Sequence, residues 1–100
     1  MIFITQLIYI NEGSEAVFHD FERLAIPLIK KYNGLLLLRL RPQNEAFVEI
    51  NTEPPYEIHL VSFETEDDFR RFLEDEERKE FLYLKEQSIR SAVLIQGKQL

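Results

Sequence analysis

Cysteine and tryptophan are absent from this sequence of 100 residues, and glycine and proline occur only 3 and 4 times. Without cysteine the chain has no disulfide, no thiol nucleophile and no thiolate ligand for a metal ion. The two histidines, His19 and His59, are far apart in sequence and do not form a metal-binding pair at helical spacing. The few glycines and prolines leave no low-complexity linker. We therefore expect one domain over residues 1–100, no metal, no cofactor and a reducing, cytoplasmic setting.

Positive charge is also in short supply, because 12 lysines and arginines stand against 18 acidic residues and the net charge is -6. Nucleic acids and anionic membranes both bind proteins through positive surfaces. The opening stretch MIFITQLIYI is apolar, yet it has no basic flank and is far shorter than the roughly 20 residues of a membrane helix. The sequence thus predicts no nucleic-acid partner and no membrane partner.

Hydrophobic periodicity predicts two helices and four strands, the strands at residues 2–10, 35–41, 57–63 and 89–97. The first helix is expected over about residues 15–32, with a bend where Pro27 removes a backbone donor. The second begins after Thr65, which opens a variant of the capping box, and breaks near residues 74–77. In the long connection before the third strand, AFVEI has the composition of a short extra strand. The order β-α-β-β-α-β, with right-handed crossovers, predicts an α+β, ferredoxin-like fold with a four-stranded antiparallel sheet and both helices on one face.

The segment GLLLLRLRP raises the question of what covers the second face of that sheet. Strict alternation predicts Leu36, Leu38 and Leu40 on one side of the strand, and on the other side Leu35, Leu37, Arg39 and Arg41. The first and last strands also carry large apolar residues on both sides. If five such side chains stayed exposed, roughly 7 to 15 kcal/mol of burial would be forgone. We therefore predict a homodimer in which a second copy covers the open face.

Four features of the chain resemble the dimeric α/β-barrel superfamily: the order of elements, the helix ending LAIPLIKKYNG, the passage VEINTEPPYEIHLVSFET and the tail EFLYLKEQSIRSAVLIQG. Within it the chain looks most like the family called domain of unknown function 1330, and it is similar to antibiotic biosynthesis monooxygenase-like proteins. The resemblance implies that two sheets pack face to face into a barrel, and that a cavity between sheet and helices binds a small organic molecule. Ser62 and Phe72 stand where that family often has an acidic residue and a tryptophan, so the resemblance implies fold and dimerisation more than a shared site.

Candidate site residues lie on three of the predicted strands. Glu57 and His59 are two apart, on one face of the third strand, and a carboxylate so placed can hold the tautomer of a histidine for proton abstraction; they are the candidate catalytic pair. Arg39 and Arg41, on one side of the second strand, are candidate ligands for a carboxylate, and Tyr9 offers a phenol from the first strand. The alternative is structural: a hydrogen-bonded histidine in a pocket wall or interface, arginines in salt bridges to Glu57, to Glu49 or to the partner chain, and a tyrosine that only packs.

Two classes of function follow from these residues and the resemblance. In the first, the cavity binds a small aromatic or carboxylate-bearing ligand, and the protein is a cofactor-independent monooxygenase or isomerase. In the second, it is a non-catalytic dimeric module for binding or regulation, and the sequence does not decide between the two. RNA recognition uses the same order of elements, but its third strand needs stacking aromatics where this chain has Ile58 and Leu60. The acidic charge argues against RNA binding as well.

Overall fold

The computed structural model describes all 100 residues. Its four strands are β1 (Ile2–Ile10), β2 (Gly34–Leu40), β3 (Glu57–Phe63) and β4 (Ile89–Gly97). Its α-helices are α1 (Glu15–Ala25), α2 (Glu66–Leu73), α3 (Glu76–Glu80) and α4 (Leu82–Ser88). No helix has both the length and the apolar character needed to cross a membrane.

The strands form one antiparallel sheet in the order β2-β3-β1-β4, and the helices pack on one face of it. This arrangement confirms the predicted ferredoxin-like fold. The face covered by the helices is called the helix face below, and the other is called the open face. The predicted break in the second helical region is also present, because α2 ends at Leu73 and Asp75 caps α3 by accepting a hydrogen bond from the backbone N–H of Arg78.

The first helix is shorter than predicted, because the chain continues beyond α1 as a 3₁₀ helix over Ile26–Tyr32 with Pro27 in its first turn. This segment ends at Asn33, whose φ of 58° is left-handed. Gly34 follows and begins β2 in close contact with the segment, since a Cβ atom there would lie 2.5 Å from the Cγ2 atom of Ile29. A side chain at this position would therefore displace the core.

The hydrophobic core lies between the helix face and the helices, toward one end of the sheet. Its centre is formed by four buried residues, Ile4, Ile29, Val61 and Phe63. The rings of Phe69 and Phe72 on α2 pack against Phe63, with centroids 5.3 Å and 5.6 Å away. The capped start of α2, where the side chain of Thr65 accepts a hydrogen bond from the backbone N–H of Asp68, fixes the point at which these rings enter the core.

The predicted alternation along β2 is wrong in one respect, because a β-bulge interrupts the strand between Leu36 and Leu38. Leu36 is opposite Val61 and Arg39 is opposite His59, so Leu36 and Arg39 both belong to the helix face. Leu38 pairs instead with Leu60 on the open face. A bulge places two residues opposite one and resets the period of two, which strict alternation does not anticipate.

The connection between β2 and β3 contains no additional strand. The structure places a short 3₁₀ turn at Asn44–Ala46 and irregular backbone after it, so the interpretation of AFVEI as a strand is wrong. The two prolines at its end, Pro54 and Pro55, cannot donate to a ladder, and Val48 is fully exposed.

The open face of the sheet carries a continuous set of exposed apolar side chains. Four members of this set are Leu35, Leu38, Val93 and Ile95, which are 51%, 45%, 46% and 53% exposed. They come from β2 and β4, the two outer strands, while β1 and β3 contribute Leu7 and Leu60 between them. No helix or loop of the chain covers this set.

Candidate functional site

The carboxylate of Glu57 is the centre of a buried polar cluster on the helix face. Its Oε2 atom accepts hydrogen bonds from the Nε of Arg39 at 2.8 Å and from the Nε2 of His59 at 2.5 Å. Its Oε1 atom accepts a hydrogen bond from the Nε of Arg41 at 2.7 Å. The side chain of Glu57 is completely buried, so these three donors replace the water that the carboxylate loses on folding.

Strand geometry explains why these side chains meet. Glu57 and His59 are two residues apart on β3 and so point to the same face. On the neighbouring strand, the bulge turns Arg39 to this face opposite His59, and Arg41 follows two residues later. The predicted salt bridge between Arg39 and Glu57 is therefore present, and it depends on a bulge that the sequence does not show.

The protonation of the cluster follows from its hydrogen bonds. Burial alone raises the pKa of Glu57, but the hydrogen bonds from His59, Arg39 and Arg41 outweigh it and lower the pKa to about 2. The ionised carboxylate can only accept, so the proton of neutral His59 belongs on Nε2. The Nδ1 atom of His59 then carries a free lone pair, and Nδ1 is the atom nearer to Glu22, 3.9 Å from Glu22 Oε2.

Glu22 is a second buried carboxylate, which the sequence analysis missed. It lies on α1 four residues after Phe18, within the stripe that buries Phe18, Phe21 and Ala25. That spacing was a usable signal, because an acidic residue inside an apolar stripe must be buried when the helix packs. Burial raises the pKa of Glu22, and the charge that His59 carries when it is protonated, together with the charge of Arg39, offsets part of this effect.

A cavity lies between the helix face and the helices, with His59 and Glu22 in its wall. Its volume is about 70 Å³. Since one water molecule needs roughly 10–15 Å³ of such volume, the cavity has room for on the order of five waters or a ligand of similar size. Most of its lining is apolar, and the polar side chains that reach it are Gln6, Glu22, His59, Arg78 and Lys85.

Four of the five predicted site residues lie together, and the fifth, Tyr9, lies elsewhere. Glu57, His59, Arg39 and Arg41 form the cluster described above. Tyr9 does not join it, because its neighbour Ile8 is paired with Glu57 on the helix face and Tyr9 therefore points to the other side. There its ring is buried and lies 5.9 Å from the guanidinium carbon of Arg90. No group of three or more His, Cys, Asp or Glu side chains is arranged to hold a metal ion.

Solved structures share this fold at low sequence identity. A protein of unknown function from Rhodopseudomonas palustris superposes with a TM-score of 0.84 at 13% identity, over 99% of this chain and 82% of that chain. An antibiotic biosynthesis monooxygenase-like protein from Nitrosomonas europaea has a TM-score of 0.76 at 10% identity, over 100% and 99% of the two chains. A dimeric protein of unknown function and ferredoxin-like fold from Bacteroides fragilis has a TM-score of 0.73 at 12% identity, over 98% and 95%.

These likenesses extend over nearly the whole chain and establish the ferredoxin-like fold. No protein-family model matches the sequence, and no curated protein sequence matches it. The resemblance to the family domain of unknown function 1330 is therefore not shown, and only the fold that it implied is supported. Fold is a weak guide to chemistry, so function has to be argued from the cluster and the cavity.

Proposed function

We propose that this protein is a homodimer that binds a small organic molecule in the cavity and removes a proton from it with His59. The observation that carries this proposal is the placement of His59: its Nε2 is bonded to an ionised carboxylate, and its ring lies in the cavity wall. In this proposal Nδ1 is the base, and it acts on a ligand held in the cavity that His59 lines. Cofactor-independent isomerases and monooxygenases both begin with such a step at an acidic C–H bond.

In this proposal the reaction starts with transfer of one proton. His59 Nδ1 accepts the proton, and the electron pair of the C–H bond remains on the ligand as an enolate. Return of the proton to the same carbon gives exchange with solvent, and its return to another carbon gives isomerisation. Glu57 holds the tautomer of His59 and stabilises the imidazolium that forms, so we assign it a positioning role.

Arg39 and Arg41 are assigned here to Glu57 and not to a ligand. Each uses its Nε atom to bond one carboxylate oxygen, and together they keep Glu57 ionised although it is buried. Neither residue lines the cavity that contains His59. Their role as ligand contacts remains a prediction, and the geometry favours the positioning role because their bonds to Glu57 are already made.

We further propose that a second copy of the chain covers the open face. The exposed leucine, valine and isoleucine side chains of β2 and β4 form an apolar surface of a kind that monomers seldom leave in water. A flat sheet face suits an isologous pair, in which the same patch meets itself around a twofold axis. The structure from Bacteroides fragilis, described as dimeric, supports this assignment.

The cytoplasmic setting and the single domain over residues 1–100 are retained as proposals.

The test of His59 as a base uses a small neutral carbon acid, acetylacetone, in deuterated buffer. We expect the protein to accelerate deuterium uptake at the central carbon, as followed by proton NMR, and we expect His59→Gln to reduce this acceleration at least tenfold. His19→Gln is the matched control, because the ring of His19 bonds the Tyr56 hydroxyl at 2.7 Å, outside the cavity. Equal exchange by the wild type and by His59→Gln would contradict the proposal.

A non-catalytic dimeric module is the second candidate, and the saturation of Glu57 favours it. Three donors occupy the carboxylate, as in a cluster whose purpose is to hold the sheet edge together. In that case His59→Ala would weaken the fold or the dimer while leaving retained ligand unchanged. Native mass spectrometry of both proteins measures subunit number and retained small molecules together and so separates the two functions.

A further inference from the structure

The guanidinium of Arg78 is incompletely satisfied at the cavity. Arg78 lies on α3, lines the cavity and has a buried Nε atom without a hydrogen-bond partner. Its NH1 group donates one long hydrogen bond, 3.4 Å, to the carbonyl of Leu73, and its central carbon lies 5.2 Å from the centroid of the Phe72 ring. A buried donor left without an acceptor is unfavourable, so this position is held at some expense of stability.

Lys85 brings a second cation to the same cavity from α4. Burial lowers its pKa, and the neighbouring charge of Arg78 lowers it further, while Glu22 and Glu86 act in the opposite direction. Lys85 and Arg78 both line this one cavity, so two positive groups share the same partly buried space. Two like charges in one partly buried space are unfavourable unless an anion is shared between them.

The charge of this cavity is opposite in sign to that of the protein. The chain as a whole has a net charge of -6, yet two cations and one carboxylate, Glu22, are the ionised groups that line the cavity. The closest cationic contact of Glu22 is His59 at 3.9 Å, and it makes no ion pair with Arg78 or Lys85. Asp75, which also faces Arg78, has its carboxylate occupied by Lys31 and Tyr32.

We infer that the cavity takes a small organic anion whose carboxylate is bound by Arg78 and Lys85. Arginine suits this role because its planar donors match the two oxygens of a carboxylate, and the unpartnered Nε would supply one of them. The remainder of the ligand would lie against the apolar wall formed by Phe21, Ile29 and Phe69. This inference rests on the proposed function, because it names the class of molecule that would present a C–H bond to His59.

The experiment compares propionate with propionamide, two probes of nearly the same shape that differ in charge. We expect the wild-type protein to bind propionate at least tenfold more tightly, as measured by shifts of backbone amide signals in an NMR titration. Arg78→Gln and Lys85→Gln should each abolish this preference and leave the weak binding of propionamide unchanged. Lys79→Gln is the matched control, because Lys79 is a neighbour on α3 whose ammonium group lies beside exposed Glu76 and not in the cavity.

Equal binding of the two probes by the wild type, or a preference that survives in both variants, would overturn the inference. The second variant keeps the test decisive if Arg78→Gln does not fold, because Lys85→Gln removes a charge and leaves the Arg78 contacts to Phe72 and Leu73 intact. The result is independent of proton transfer. Exchange of neutral acetylacetone depends on His59 and needs no anion contact, so either proposal can fail while the other stands.

Discussion

The two faces of the sheet use the same strands for opposite purposes. On the helix face, β3 buries Glu57 and His59 and supplies them with partners from β2. On the open face, the outer strands leave Leu38, Val93 and Ile95 in contact with solvent. Burial of charged groups and exposure of apolar surface both cost free energy, and the two faces of this one sheet show one of these features each. The comparison teaches that the helix face holds the buried charged groups with their partners, while the open face keeps apolar side chains that no part of the chain covers.

The largest expected effect concerns the charge network of the helix face. Replacing Glu57 with Gln removes the negative charge that neutralises Arg39 and Arg41 and replaces one of the two acceptor oxygens with a donor, and we expect the free energy of unfolding to fall by about 3 kcal/mol. Urea denaturation measures this change. Glu53→Gln is the control, because Glu53 pairs with Arg90 at the exposed surface and should contribute less than about 1 kcal/mol. Similar losses for both variants would mean that the buried cluster is no more important than a surface pair.

A charge on the open face should have a comparable effect on association and little effect on the fold. Ile95 is opposite Thr5 on that face, and we expect Ile95→Glu to raise the dimer dissociation constant at least about 100-fold, or roughly 3 kcal/mol. Sedimentation velocity at several concentrations measures it. Tyr83→Glu is the control, since Tyr83 is as exposed but lies on α4 in the helical layer. A wild-type protein that is monomeric at micromolar concentration would remove the basis for this difference between the faces.

Acid should weaken the Glu57 cluster of the helix face. The pKa of Glu57 is lowered from its ordinary 4.5 to about 2, so its contribution is complete above pH 4.5 and is lost as the pH falls toward 2. Because the two arginines are partly exposed, we expect this contribution to be about 2 kcal/mol after solvent screening. Urea denaturation at pH 6 and about pH 3 measures it, with Glu57→Gln as the reference that lacks this carboxylate. The same pH dependence in Glu57→Gln would assign the loss to other groups.

The sequence predicted most of the fold because the strands and helices are marked by hydrophobic period and by caps such as Thr65. It also placed Glu57 with His59, because two residues on one strand share a face whatever surrounds them. The position of Arg39 was harder, since a bulge depends on pairing between strands and leaves no local pattern. The prediction of a salt bridge to Glu57 was confirmed, while the functional roles of His59 and Arg39 stay predictions.

Three charged residues that line the cavity were not predicted from the sequence: Glu22, Arg78 and Lys85. Glu22 could have been found from its place in the stripe of α1. The other two lie in a charged stretch, EDEERKE, and in a short final helix, where an exposed side chain is the ordinary expectation. Only the folding of α3 and α4 over β1 and β3 turns them toward a common space. The cavity is therefore a property of tertiary packing that no single segment encodes.

The β-bulge at Leu37 determines which side chains of β2 lie on each face of the sheet. If β2 paired regularly with β3, with Leu37 opposite Leu60, every residue beyond Leu37 would move to the opposite face, so Arg39 and Arg41 would lie on the side now formed by leucines. Glu57 would be stranded without a counter-ion, and four positive charges would meet at the seam of any twofold assembly. The bulge at Leu37 thus decides both whether the buried charge of Glu57 is neutralised and whether the open faces of two subunits can pack together.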